Sequence, residues 1–326
     1  MRIISSQEIN DILTPIKLIE TLRTAFQSGI TTPKRHHHTV PFPDAADATL
    51  LIMPAWTDFE KQGSSLGGYV GVKLVSVYPD NSSRFQKPSI SGVYMLFDGK
   101  DGTPVACLDA SSLTVQRTAA ASALAADYLA RKDASRLVMA GAGALSAYLV
   151  RAHVAVRPIE HITLWNRTRP KAEALAKDLA DLGIEIVVSD DLAEPCEQAD
   201  IISCATMAQN PIILGDWLKP GAHLDLVGAY RPDMRETDDV CVLRSDVYVD
   251  TRTGALSEGG DVVQAIDAGI LSTEQVLGDL FDLCRGTAPG RKENDAITLF
   301  KSVGTALEDL AAAQLIYEHL LDKSPS

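Results

Sequence analysis

The sequence predicts an α/β protein with a doubly wound parallel sheet, and three observations carry that reading. Residues 137–140 (Leu-Val-Met-Ala) form a short apolar run that ends in Gly141-Ala-Gly143-Ala144-Leu145-Ser146, and residues 145–155 then read as a helix. Strand, glycine turn and helix in that order are the context a dinucleotide fingerprint requires. Residues 161–165 (His-Ile-Thr-Leu-Trp) make a second strand. Further short apolar runs at 184–189, 201–205, 223–227 and 247–250 alternate with helical or loop segments, the pattern of a parallel sheet.

Each part of the fingerprint has a physical role. Gly141 permits a tight turn, and Gly143 lets the backbone approach a pyrophosphate. Ala144 and Leu145 lead into a helix N-terminus, where free N–H groups and the dipole favour anions. Ser146 stands where the pattern has a third glycine, and is small enough for close packing. Taken alone, Gly-x-Gly-x-x-Ser also suits an ordinary strand–helix turn. In an NAD site the next strand end, about 20 residues on, carries an acid for the ribose hydroxyls. Here it carries Asn166, followed by Arg167, Thr168, Arg169 and Lys171. That run suits a 2′-phosphate, hence NADPH with NADH as the lesser cofactor; its structural alternative is a solvated basic helix start. Ligands bind beyond the strand C-termini in such sheets, so Thr206 and the segment Gly228-Ala-Tyr230 are expected to line the nicotinamide end.

Composition narrows the classes. At 326 residues and 46% apolar, the chain can bury one large or two medium cores. A net charge of −13 argues against nucleic acid or an anionic membrane as partner. Cys107, Cys196, Cys204, Cys241 and Cys284 are scattered and lack Cys-x-x-Cys spacing, so buried thiols in a reducing compartment are expected, not a disulfide framework or zinc site. There is no signal-like opening and no apolar run approaching about 18 residues. The expectation is a soluble cytoplasmic protein.

From the start, residues 14–29 read as a helix, with Thr14 capping, Pro15 at the first position and Gly29 ending it. The segment 32–41 is strand-like. It contains His36, His37 and His38, of which only the first and third share a face. No carboxylate or cysteine nearby completes a ligand set, so no metal is expected. Arg35 in the same segment either points at an anionic substrate or is a surface arginine. Residues 50–55, 68–77 and 91–97 read as strands of one sheet, 98–102 as a hairpin turn and 104–108 as the return. Lys73 lies in the most apolar of these runs, which is costly unless it snorkels from an edge strand or meets an anion. Residues 111–132 contain a helix of small residues beginning near Thr114, with Arg117 in its first turn. A cation there opposes the helix dipole, a conflict that a bound carboxylate removes; an exposed arginine is the alternative. Residues 297–321 read as an amphipathic helix.

The chain resembles the ornithine cyclodeaminase/mu-crystallin family over nearly its whole length. The resemblance rests on Pro-x-Arg35, Gly71-Val-Lys73-Leu-Val, Leu113-x-x-x-Arg117-Thr-Ala-Ala, the turn at Gly141 and Trp165-Asn-Arg-Thr168. It continues through Cys204-Ala-Thr206, Gly228-Ala-Tyr-Arg-Pro-Asp-Met-Arg-Glu236 and Lys301-Ser-Val-Gly304. It implies an α+β substrate-binding and dimerisation domain made from both ends of the chain (1–115 and 300–326), with a Rossmann domain (116–299) inserted between them. It also implies a homodimer and amino acids or cyclic imino acids as substrates. Arg35, Lys73 and Arg117 would then hold the substrate carboxylate beside the nicotinamide.

One departure decides between branches. Cyclodeaminases carry an aspartate two residues before the proline of the segment after the fifth strand, where it handles the substrate amine; here that position is Tyr230. Ketimine reductases of the mu-crystallin type also lack it and share the continuation from Arg231 to Glu236. The resemblance therefore implies NADPH-dependent reduction of Δ1-pyrroline-2-carboxylate or Δ1-piperideine-2-carboxylate to L-proline or L-pipecolate. Hydride delivery to a protonated imine is chiefly a positioning task. Arg117 is the natural carboxylate clamp, with Arg35 in support, and Lys73 either anchors or donates a proton. The rival readings are a cyclodeaminase or amino-acid dehydrogenase using NAD(H), a hydroxyproline dehydratase, and a non-catalytic binder of NADPH or another small ligand. The segment Glu258-Gly-Gly-Asp261 is site-like in composition but has no role assigned from sequence.

Overall fold

The computed structural model describes residues 1–62 and 67–323. Packing divides the chain into two units, Met1–Arg117 with Thr305–Ser326, and Thr118–Gly304.

In the first unit, the strands are β1 (Arg2–Ile4), β2 (Ile30–Thr31), β3 (His36–Val40), β4 (Ala48–Thr57), β5 (Tyr69–Val77), β6 (Ile90–Asp98) and β7 (Pro104–Asp109). The sheet runs β1-β7-β6-β5-β4-β2, with β3 also on β4. Every pair is antiparallel except β1 with β7. Met53, Lys73 and Tyr94 stand in register across β4, β5 and β6. All three are buried, on the face where the C-terminal helix packs. β5 is an inner strand, so the edge-strand reading of Lys73 is excluded. The helix Pro15–Gln27 has Pro15 at its start as expected, but Thr14 at the N-cap position makes no side-chain capping bond and the helix ends on Ser28 in an extended conformation. Gly29 serves close packing instead: a Cβ there would lie 2.8 Å from Asp58 Cβ.

Two expectations about helices are corrected. The small-residue helix runs Ala110–Leu129, starting four residues before Thr114 because the Asp109 carboxylate accepts the Ser112 N–H at 2.7 Å and caps it. Arg117 is therefore two turns inside the helix, and the dipole argument for a carboxylate beside it falls. The tail is not one helix. Residues Ile297–Lys301 form a strand, and only Ala306–Asp322 is helical, capped by Thr305. The break is the segment 302–304, ending on Gly304 at φ +78°, a conformation that suits glycine.

The second unit is a parallel sheet. Its strands are β8 (Arg136–Ala140), β9 (His161–Trp165), β10 (Glu185–Ser189), β11 (Ile201–Cys204), β12 (His223–Leu226), β13 (Ser245–Val249), β14 (Gly278–Asp279) and β15 (Ile297–Lys301). They are ordered β10-β9-β8-β11-β12-β15-β13-β14, and every pair is parallel. The chain winds outward from β8 to β10, then returns to the other side of β8 as β11. That reversal is a topological switch point, where the loops after adjacent strands diverge and leave a crevice. The α/β, Rossmann-type class expected from sequence is the observed one. Among the described residues no helix is long and apolar enough to cross a membrane.

Candidate functional site

The crevice at the switch point is a cleft of about 290 Å³ lined by Gly141–Gly143, Trp165–Thr168, Lys171, Thr206 and neighbouring residues. At its floor Gly141 turns the chain at φ +113°, with its Cβ position only 2.5 Å from the Ala205 carbonyl oxygen. No L side chain fits there. The Cβ position of Gly143, by contrast, has nothing within 4 Å, so that side of the residue faces open space, while its N–H donates to Ser146 Oγ at 3.0 Å. The following helix, Ser146–Val156, has no side-chain cap from Leu145, which leaves its end suited to an anion. Ala144 and Leu145 make the turn into it. The residues fit a dinucleotide: a positive-φ glycine, an open approach at the second glycine and an uncapped helix start.

Asn166 ties the two sides of the cleft together. Its Oδ1 accepts the Ala142 N–H at 3.2 Å, and its Nδ2 donates to the Thr168 carbonyl at 2.9 Å. An aspartate could not make the second bond, so the side chain here serves the loop as well as any ligand. Of the basic residues behind it, Arg169 is occupied by Glu173 and Asp190, at 2.9 and 2.6 Å. Arg167 and Lys171 are exposed and line the cleft.

Thr206, Gly228 and Tyr230 sit on the loops after β11 and β12. Thr206 lines the cleft. Tyr230 is on the surface at 38% exposure, with its N–H bonded to the Gly228 carbonyl. Beneath both loops lies the last residue of the Gly228–Glu236 motif, to which the sequence assigns no role of its own. Glu236 is fully buried, and its carboxylate accepts from Thr206 N and Oγ1 (2.7 and 2.8 Å) and from Gly228 N and Ala229 N (2.8 and 3.3 Å). Asp261 in turn accepts from Glu236 N, Thr237 N and Thr237 Oγ1, and its other oxygen lies 3.2 Å from Lys301 Nζ. This accounts for Gly259-Gly260-Asp261: a Cβ on Gly260 would fall 1.9 Å from the Met234 carbonyl oxygen, so glycine alone brings Asp261 this close.

In the first unit the expected anion-binding cations meet two acids. Lys73 Nζ lies 2.7 Å from Asp309 Oδ2 and 3.5 Å from Thr114 Oγ1. Arg117 Nε donates to Asp309 Oδ1 at 2.9 Å and its Nη1 to Glu308 Oε2 at 2.5 Å. Lys73 is 2% exposed, Arg117 4%, and both acids 0%. Burial pulls the Lys73 ammonium down to about 8, helped by the Arg117 charge and opposed by Asp309, so it remains charged at neutral pH. Asp309 stays below the usual carboxylate range, because Arg117 and Lys73 outweigh its burial. Arg35, just before β3, is close enough to act electrostatically on Lys73. The two cations Lys73 and Arg117 are matched by the two anions Glu308 and Asp309. Glu308 and Asp309 were missed because the C-terminal helix reads as apolar; the signal available was a pair of adjacent acids in a Leu/Ala-rich run. The Tyr94 hydroxyl is buried beside Gly71. A Cβ on Gly71 would fall 2.0 Å from that hydroxyl.

The histidines of β3 are exposed, and no group of three or more metal-ligating side chains occurs among the described residues. All five cysteines are free thiols.

The family model for the ornithine cyclodeaminase/mu-crystallin family matches residues 3–324. The chain belongs to that family. It is 34% identical to a Δ1-pyrroline-2-carboxylate reductase from Colwellia psychrerythraea, over 99% of this chain and 100% of that protein. It is 35% identical to the ketimine reductase mu-crystallin of Rattus norvegicus, over 82% of this chain and 80% of that one. Among solved structures it resembles Thermococcus litoralis Δ1-pyrroline-2-carboxylate reductase in complex with NADH and L-proline. The TM-score is 0.90 at 31% identity, covering 99% of this chain and 98% of that one. Within this family member, the position two residues before Pro232 is the exposed Tyr230.

Proposed function

We propose that the protein is an NADPH-dependent ketimine reductase that converts Δ1-pyrroline-2-carboxylate, or its six-membered homologue, to L-proline or L-pipecolate. The observation that carries this reading is Tyr230. Where a cyclodeaminase needs a carboxylate for the substrate amine, this chain presents a phenol. The relatives named as pyrroline-2-carboxylate and ketimine reductases support the same branch, as does the fold's likeness to a reductase holding NADH and L-proline.

The roles follow from the residues. Glu308 and Asp309 fix the Arg117 guanidinium through Nε and Nη1, leaving Nη2 to receive a substrate carboxylate oxygen. Lys73, held by Asp309, and Arg35 complete the set of cations proposed to receive that carboxylate. Their combined task is to hold the cyclic imine by its carboxylate in one orientation, with its C2 presented to the donor. NADPH, when bound, supplies the hydride. Gly141, Gly143, Ala144 and Leu145 hold its pyrophosphate; Arg167, Thr168 and Asn166 take its 2′-phosphate end; Thr206, Gly228 and Tyr230 flank its nicotinamide end. The imine nitrogen enters protonated, and a cation such as Lys73 beside it is better suited to anchoring than to proton donation.

The test is reduced-cofactor consumption by the purified chain with each cyclic imine, with ornithine plus NAD run in parallel. Imine-dependent NADPH consumption with ornithine inert is the expected result; turnover of ornithine without any imine reduction would sink the reading. The 2′-phosphate assignment has its own test. Arg167→Ala is expected to raise the Kd for NADPH on the order of tenfold, through loss of a charge-assisted contact, and to leave NADH unchanged. Equal weakening of both removes Arg167 from the phosphate.

A further inference from the structure

We propose that Glu236 is a positioning residue for the cofactor cleft. Its ionised carboxylate clamps the loop after β11 to the loop after β12, and proton uptake by it releases that clamp and weakens dinucleotide binding. This rests on the reading of the switch-point cleft as the dinucleotide site.

The geometry is specific to an anion. Glu236 receives three backbone N–H groups and one hydroxyl, two donors on each oxygen, from Thr206 on one side and Gly228 and Ala229 on the other. A carboxylate can only accept, and its two oxygens satisfy donors from both loops at once. A protonated acid loses that symmetry. One oxygen becomes an O–H donor and faces N–H groups that are themselves donors, so one of the two loops gives up its anchor. The loops leave little slack for another arrangement. A Cβ on Gly228 would lie 2.1 Å from the Thr206 carbonyl oxygen and 2.3 Å from Glu236 Oε1, so the strand ends are held at contact distance around the carboxylate.

The charges facing Glu236 place its proton uptake within the working range. Burial is the largest influence, with Lys301 of β15 acting against it and Asp261 of the helix Gly260–Asp267 acting with it, and the result is a carboxyl pushed up to about 7. Cys204 of β11 also faces it; burial and the two acids hold that thiol well above its ordinary value, so it stays neutral. Because the group is an acid with a raised pKa, the clamp is closed above neutrality and opens as pH falls through about 7. Asp261 and Lys301 support the device from behind: Asp261 grips the Glu236 backbone N–H at 2.8 Å and is itself held by Lys301.

The experiment is the Kd of the full chain for NADPH and for NADH, read by nicotinamide fluorescence from about pH 6 to about pH 8.5, on either side of the Glu236 transition. NADH is included because a 2′-phosphate itself titrates near about pH 6. For the wild type, both Kd values are expected to rise on the order of tenfold as pH falls across this range. In Glu236→Gln one oxygen is replaced by an N–H donor, as in the protonated acid, so binding is expected to be weak throughout and flat with pH for NADH. Tight wild-type binding with a flat NADH profile overturns the inference, and so does a variant that retains the wild-type profile. Should the variant fail to fold, the wild-type NADH profile decides alone. If the folded wild type binds neither dinucleotide at any pH, the cofactor reading itself falls, and this inference with it.

Discussion

Arg117→Ala is expected to lower kcat/KM for the cyclic imine by about 10²-fold or more, and to destabilise the fold by about 3–5 kcal/mol. The two effects have separate causes. The kinetic loss follows from removing the guanidinium whose Nη2 is assigned to the substrate carboxylate, a charge-assisted contact that fixes geometry as well as affinity. The stability loss follows from what stays behind. Asp309 keeps Lys73 at 2.7 Å, but Glu308 loses its guanidinium while remaining fully buried. Breaking a buried ion pair from one side is far costlier than exchanging the whole set for apolar groups. The check is chemical denaturation of both proteins, followed by steady-state kinetics at a temperature where the variant is fully folded. A folded variant with unchanged KM and kcat confines Arg117 to holding the C-terminal helix. Arg117→Lys separates charge from shape: it is expected to recover part of the stability and little of the activity, because one ammonium cannot reach Glu308, Asp309 and a substrate carboxylate at once in the planar guanidinium's geometry.

Gly141→Ala is expected to weaken NADPH binding on the order of 10²-fold and to cost about 1–3 kcal/mol of stability. At φ +113° the residue occupies a conformation open mainly to glycine, and its added methyl would lie 2.5 Å from the Ala205 carbonyl and 3.2 Å from Thr206 Cγ2. The turn must therefore shift away from the end of β11, carrying the cleft floor with it. Gly143→Ala is the informative partner. Nothing lies within 4 Å of its Cβ position, so the protein is expected to keep wild-type stability yet lose affinity, because the methyl enters the space assigned to the pyrophosphate. Titration calorimetry with NADPH and thermal melts of both variants check this. Wild-type affinity in Gly143→Ala removes the pyrophosphate from that position.

The strand runs and the glycine turn were legible because they are local. Period-two alternation, a glycine at a positive-φ turn and a helix signal after it each depend on neighbours within a few residues. The same locality explains the misreadings. The apolar residues of the strand Ile297–Lys301 suit either period, so in sequence they merge with the helix that follows. What makes it a strand is parallel pairing with β12 and β13 on its two sides. The start of the helix at Ala110 was read four residues late because Ser111 and Ser112 look like a loop until Asp109 is seen to cap them.

By itself the sequence determined the α/β class, the position of the glycine turn after β8, the basic residues behind β9 and the family to which the chain belongs. It also singled out Arg35, Lys73 and Arg117 as candidate cations for a substrate carboxylate. Only the tertiary structure decided what those cations face. Lys73 and Arg117 are neutralised by Glu308 and Asp309, nearly two hundred residues further on from Arg117 (separations of 191 and 192). It likewise decided that Glu236, Asp261 and Lys301 form one buried unit beneath the loops after β11 and β12. The reason is physical. Backbone conformation is set largely by adjacent residues, whereas the charge state and the work of a buried ionisable group depend on desolvation and on partners that only folding brings within about 3 Å.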